Sequence, residues 1–297
     1  MTEERNDDPG MFPERPRMED VLRKFFADRN LPMLGGPSGR GWSFYGSYAR
    51  CAYLHFKTYE SMYLGDGPVD VRWASIFEDM DEPEAREMGS LIHVVLALRY
   101  SRQLAYPDPE TVIDHVAATH PQLAMDTRRI YLAYGAFCDG YGDYDHVLHV
   151  EKYLEFVDED DGFTVTTKPD LILHERDGVV IVDNKSAARF DYVTRNEWHN
   201  SGQLRTAALV YRGMGEPWGP IRHIEINLIG KQKEPQFERI KIAPPNDDAL
   251  RSHAKLLRYL DALRRQSEIT DFWPRTGRDI GCSGRGTCAL FSHCASR

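Results

Sequence analysis

Residues 167–187 read TKPDLILHERDGVVIVDNKSA, and this stretch decides the fold. Asp177-Gly178 is a two-residue hairpin signal between two apolar runs. With that turn, Arg176 pairs with Val179, Asp170 falls opposite Lys185, and Ile172 falls opposite Asp183. Side chains alternate along a strand, so Asp170, Asp183 and Lys185 emerge on one face of the sheet. A turn of even length preserves this grouping, and one of odd length breaks it.

Two carboxylates and an ammonium on one face suit phosphodiester hydrolysis. The carboxylates can hold a hard divalent ion, Mg²⁺ or Mn²⁺, and the ammonium can orient water or neutralise charge growing on a phosphate. The same spacing also suits a salt-bridged hairpin facing solvent. The unbroken apolar run Val179–Val182 favours a site, because it predicts a strand buried on both faces with ionisable groups at its end.

Working outward, helical spacing covers Met18–Asn30, Phe44–Tyr59, Pro83–Arg102, Pro121–Phe137, Glu197–Tyr211 and Asp247–Arg265. Strands are expected at Val147–Val157, Phe163–Leu173, Ile221–Ile229 and Gln236–Ile242, and GYGDYDH (140–146) reads as a loop. The class is α/β, a central mixed sheet wrapped by helices. We expect a disordered tail over 1–17, a helical region over 18–82, a core over 83–245, and a helix with a Cys-rich segment over 246–297.

Pro169-Asp170, followed after a hydrophobic strand by Asp183-Asn184-Lys185, resembles the PD-(D/E)XK superfamily and within it the RecB-like nucleases. The resemblance covers roughly Pro83 to Ile242. It implies that Asp170 and Asp183 are metal ligands and Lys185 the catalytic lysine. His93, in an apolar helix, resembles the upstream histidine that supplies a further metal ligand. Alone, such a residue reads more simply as a core histidine. Gln203 resembles the glutamine that follows the core and implies a catalytic or DNA-contacting role. The tyrosine expected about one turn later is replaced by Ala207, and Tyr211 stands eight residues on, able to share a helix face with Gln203. Glu151 resembles an acidic position on a strand before the site and reads equally well as a solvated residue.

Cys282, Cys288 and Cys294 form C-x5-C-x5-C near the C-terminus, and Cys51 lies far upstream. One early cysteine with a late triplet resembles the iron–sulfur staple of the AddB nuclease domain and of CRISPR-associated RecB-like exonucleases. That implies a [4Fe–4S] cluster on Cys51, Cys282, Cys288 and Cys294, joining the chain ends. The familiar triplet is C-x2-C-x5-C, so the first gap departs from the pattern. Four thiolates also suit Zn²⁺, and His293 could replace one of them. Cys138 has no role in this set and reads as a small buried hydrophobe.

The net charge of −9 argues against a protein that coats nucleic acid by bulk electrostatics. Residues 201–297 hold 16 Lys and Arg against 10 Asp and Glu. Of the totals of 37 and 46, that leaves 21 against 36 in the first 200 residues, so any phosphate-binding surface is local. No apolar run is long enough for a membrane span, and the charged, Pro-rich start is unlike a signal peptide, so a cytoplasmic protein is expected. The expected partner is DNA, as single strands or duplex ends. There is no nucleotide-binding G-x-x-x-x-G-K-[ST] loop, so unwinding would fall to a helicase or to a recombination or adaptation complex. The leading function is a metal-dependent exonuclease. The alternative is a non-cleaving or complex-dependent DNA-binding or adaptation module on the same fold.

Overall fold

The hairpin forms with its turn one residue earlier than the sequence suggests. In the computed structural model, which describes residues 16–34, 40–50, 52–55, 83–101, 106–188, 190–191 and 197–273, strand β4 (Leu171–Glu175) pairs antiparallel with β5 (Gly178–Ala187). Leu171 lies opposite Val182 and Glu175 opposite Gly178, so the turn is Arg176-Asp177. The reason lies in Gly178, whose φ is +151° and where a Cβ would sit 2.1 Å from the Pro220 carbonyl oxygen. The next residue, Val179, donates its N–H to that same oxygen at 2.9 Å, so the chain at Pro220 draws Gly178 into the ladder. The turn is still two residues long, so parity survives. Continued by one step, the register brings Asp170 opposite Asp183 rather than Lys185, and all three remain on one face.

Two stretches expected as single strands are each broken. The first divides into β1 (Val147–Val150) and β2 (Leu154–Val157), and Glu151, where it divides, has φ +50°. Glu151 therefore sits at a strand break instead of within a strand. The second divides into β3 (Thr164–Thr167) and β4, across Pro169, which has no N–H to give a ladder. β2 and β3 pair as a separate two-stranded sheet. The main sheet has the order β1-β4-β5-β6-β7, with β6 (Ile221–Gly230) parallel to β5 and β7 (Phe237–Ile242) antiparallel to β6. It is the mixed sheet expected from the sequence.

Helices cover both faces. Ile172, Val179 and Ile181 bury one face, with Ile224, Ile226 and Leu228, against α7 (Gly202–Gly213), backed by α2 (Trp42–Arg50) and α8 (Asp247–Thr270). On the other face Leu171, Leu173, Val180 and Val182 pack with Tyr100 and Tyr144, and Ile229 packs with residues of α4 (Pro83–Tyr100) and α6 (Pro121–Tyr141). A second apolar cluster joins α1 (Met18–Ala27) to α4 and to α5 (Pro109–Ala117). Val179–Val182 are at most 1% exposed, as their sequence predicts.

Helix boundaries differ locally. Helix α5 was not anticipated, although Asp108 caps it by accepting from the Glu110 N–H and Pro109 opens it, which is a readable start signal. The stretch expected as one helix from Glu197 begins as a 3-10 turn, Glu197–Asn200, before α7. The stretch from Phe44 forms α2 and then α3 (Ala52–His55). Gly140 and Tyr141, expected in a loop, end α6. Among the described residues, no helix is long and apolar enough to cross a membrane.

Candidate active site

Five of the residues singled out in the sequence meet near the break before β4 and the second half of β5. Lys185 Nζ lies 2.6 Å from Asp183 Oδ2. Gln203, in the first turn of α7, bridges the pair: its Nε2 donates to Asp183 Oδ1 at 2.9 Å, and its Oε1 accepts from Lys185 Nζ at 3.1 Å. Asp170 Oδ2 accepts the main-chain N–H of Asn184 at 2.6 Å, and His93 Nδ1 stands 3.5 Å from the same oxygen.

The approach of His93 depends on Gly89, one turn earlier in α4. A Cβ on Gly89 would lie 2.7 Å from Ser186 Oγ, so the bare backbone lets the helix come down on the end of β5. Glu151 is also next to the site. Its N–H donates to the Asp170 carbonyl at 2.9 Å, and its carboxylate pairs with Lys168 Nζ at 2.7 Å. The Trp198 ring lies 5.4 Å from Lys185 Nζ, close enough for a cation–π contact.

The two aspartates are held differently. Burial pushes the Asp170 carboxyl up, but His93, Lys185 and the Asn184 N–H outweigh it and hold the group below its ordinary value. Burial pushes Asp183 up as well, the Asp170 carboxylate adds to the push, and Lys185 offsets only part of it. Glu151 is raised, chiefly by burial and then by Asp170. Burial alone would lower His93, but the Asp170 carboxylate reverses the direction and raises it.

The structure thus brings together His93, Asp170, Asp183, Lys185 and Gln203, with Glu151 beside them. Tyr211 goes elsewhere: it is fully buried, its hydroxyl donates to the Gly219 carbonyl at 2.8 Å, and its ring packs near Trp218. Sharing a helix with Gln203 did not bring it to the site, because α7 turns its apolar side into the core there. Cys51, Cys282, Cys288 and Cys294, and His293, lie outside the described residues. Cys138 is 2% exposed, as a small buried hydrophobe should be. Sequence reading missed Lys168 and Trp198. Lys168 directly precedes Pro169-Asp170 and was legible as a charge beside the motif, but nothing in the sequence signalled Trp198.

Three buried or half-buried carboxylates and one imidazole face two ammonium groups, an oxygen-rich set that suits a hard divalent cation. Among the described residues no group of three or more His, Cys, Asp or Glu side chains is arranged as a ready-made metal cage. The candidate ligands are instead engaged with one another, Asp183 with Lys185 and Asp170 with His93.

No curated protein matches the sequence. Among solved structures, one from Eubacterium rectale, provisionally described as an exonuclease, is 15% identical, with 80% of this chain and 82% of that one covered and a TM-score of 0.46. The protein SSO0001 is 10% identical, with 67% and 85% covered and a TM-score of 0.31. Likenesses this distant add nothing to what the family profile carries. That profile, of the PD-(D/E)XK nuclease superfamily, matches residues 43–295 and so spans both sheets, α7 and α8. With Asp170, Asp183 and Lys185 gathered at one end of the central hairpin, the chain belongs to the PD-(D/E)XK nuclease superfamily.

Proposed function

We propose that this chain is a DNA exonuclease of the RecB-like type, hydrolysing phosphodiesters with Mg²⁺ or Mn²⁺. The observation that carries the reading is the bridge formed by Gln203 between Asp183 and Lys185, beside an Asp170 held by His93 and Asn184. His93, Asp170 and Asp183 would hold the ion, which supplies Lewis-acid polarisation at the scissile phosphate. Lys185 has its ammonium aimed by two acceptors, so it can orient the attacking water or balance charge growing on the phosphate. Gln203 fixes that ammonium without carrying charge itself. Glu151 with Lys168 lines the approach to Asp170 and is a positioning pair in this scheme.

The test is purified protein with linear and covalently closed DNA, with and without Mg²⁺ or Mn²⁺. Linear DNA is degraded and closed circles are spared, and Asp183→Ala and Lys185→Ala each abolish degradation while keeping the fold. Retained activity in both variants overturns the site assignment. Metal-dependent cutting of closed circles overturns the exonuclease mode. DNA binding without cleavage under any metal selects a non-cleaving binding or adaptation module, and a helicase or recombination complex would then be the partner to seek.

The reading extends to a [4Fe–4S] cluster on Cys51, Cys282, Cys288 and Cys294 that ties the two ends of the chain together, with Zn²⁺ as the alternative metal. Its support is proximity of the flanking segments. Tyr48 and Ser267 share a hydrogen bond of 2.9 Å, and the His55 ring stacks on Trp273 at 6.2 Å, so the neighbourhood of Cys51 already meets the chain leading to Cys282. Anaerobically purified protein with a broad absorption band at roughly 400 nm supports iron–sulfur. Colourless protein with stoichiometric zinc overturns it.

A further inference from the structure

The face of β5 opposite the catalytic set carries a chain of polar groups, buried at its inner end and reaching exposed Asp143 at its outer end, that no catalytic role uses. Asn184 is 2% exposed, and its Oδ1 accepts from Asn227 Nδ2 at 2.7 Å. Asn227 is its register partner on β6, fully buried, and its Nδ2 also donates to Tyr134 Oη at 3.0 Å. Tyr134 and Tyr100 hydroxyls lie 3.0 Å apart, and Tyr100 donates to Asp143 Oδ1 at 2.8 Å. Asp143 is anchored in turn by Arg99 at 2.5 Å and by the Tyr144 N–H at 2.8 Å.

The proton directions along this chain are determined. A carboxylate only accepts, so Tyr100 spends its proton on Asp143 and must accept from Tyr134. Tyr134 then accepts from Asn227, and both amide protons of Asn227 are committed. Asn227 Oδ1 is buried without a hydrogen bond, a cost that an apolar residue would avoid, so the amide is accounted for by its two donors. The inner end of the chain is Asn184, whose main-chain N–H holds Asp170 Oδ2 and whose neighbours in sequence are Asp183 and Lys185.

We propose that Asn227, Tyr134 and Tyr100 are positioning residues for the active site. They fix the peptide plane of Asn184 from the far side of the sheet, and with it the Asp170 carboxylate on one side and the Asp183 and Lys185 side chains on the other. They touch no reacting atom. The inference rests on the proposed reading of the site, and deepens it by naming what holds that site rigid.

The test uses the full-length protein. Tyr134→Phe keeps the buried ring and removes one oxygen, and Tyr100→Phe cuts the chain one link further out. In each, Mn²⁺ affinity is measured by calorimetry, hydrogen exchange at the Asn184 amide by NMR, and kcat and KM on linear DNA, with Tm alongside. In Tyr134→Phe, Mn²⁺ affinity and kcat fall by about tenfold, the scale seen for groups that orient metal ligands, while KM for DNA stays put. Exchange at Asn184 quickens, and Tyr100→Phe gives the same changes at smaller size. A structural role alone lowers Tm in both variants and leaves affinity, kcat and exchange unmoved, and that result overturns the proposal. Asp183→Ala and Lys185→Ala separate this from the reading beneath it. If Asp183→Ala and Lys185→Ala both still degrade DNA, the site reading falls and exchange at Asn184 alone judges the positioning claim. If either is inactive and both tyrosine variants match the native protein, only the positioning claim falls. Should Tyr134→Phe fail to fold, Tyr100→Phe carries the test.

Discussion

Asp170 and Asp183 stand just beyond the β4–β5 pair Leu171 and Val182, and Asp170 Oδ2 accepts the N–H of Asn184, the residue after Asp183, at 2.6 Å. Burial and the neighbouring Asp170 raise the Asp183 carboxyl above its ordinary value of 3.8, so its ionisation works against the metal-free fold. The sign follows: a carboxyl raised on folding costs stability as pH climbs above 3.8 and costs nothing below it. Asp183→Asn should therefore raise the Tm of metal-free protein and abolish degradation of DNA. Thermal scans in a chelator check this, and a lower Tm for the variant would contradict it.

Gln203 holds Asp183 and Lys185 at once. Gln203→Ala leaves both without that bridge and should lower kcat by about 10–100-fold, with little change in KM for DNA. Steady-state kinetics on a linear substrate read the split. A change in KM alone would move Gln203 from the reaction to substrate binding.

Gly202 precedes Gln203 and lies under the indole of Trp42. A Cβ there would come within 2.5 Å of three ring atoms, and an indole cannot flex aside. Gly202→Ala should cost about 1–3 kcal/mol by overpacking. Pairing it with Trp42→Leu should return part of that loss, because the two changes act on one contact. Denaturant midpoints of the two single variants and the double measure the coupling, and simple additivity would refute it.

His253 of α8 is 4% exposed and shares a 2.9 Å hydrogen bond with Thr206 of α7. Burial, helped by Arg205, lowers its pKa from 6.5 to about 4. The unfolded chain then takes up a proton before the folded one does as pH falls. The native fold keeps its full margin above 6.5, loses it progressively down to about 4, and loses no more below that. The loss attributable to this group is at most ~3 kcal/mol. His253→Gln should flatten the slope of stability against pH in that window, which urea titrations at pH 7 and pH 4.5 would detect.

The hairpin shows how far residue spacing reaches. Parity of the turn was readable from Arg176-Asp177-Gly178, and parity alone puts Asp170, Asp183 and Lys185 on one face. The register was not, because it depends on Pro220, 42 residues beyond Gly178, filling the space a side chain would need. The strand breaks at Glu151 and Pro169 divide similarly. Proline marks its own break by lacking an N–H, whereas the positive φ of Glu151 comes with an N–H that reaches the Asp170 carbonyl.

Local chemistry in the sequence determined the buried run Val179–Val182, the mixed α/β class, and the shared face of Asp170, Asp183 and Lys185, while His93 and Gln203 joined them only through the resemblance to a nuclease family. Alternation and helical periodicity act over a few residues, so they survive in a sequence read alone. Only the tertiary structure decided which of these residues meet and how they are charged. Gly89 brings α4 down on β5, Gly202 seats α7 under Trp42, and Tyr211 is carried into the core instead of the site. Burial pushes both carboxyls up; Asp170 nevertheless falls in pKa because His93, Lys185 and the Asn184 N–H outweigh it, whereas Asp183 rises because Asp170 adds to the push and Lys185 offsets only part of it. Charge interactions and close packing depend on distance in space, and the long-range contacts that set those distances leave no local mark in the chain.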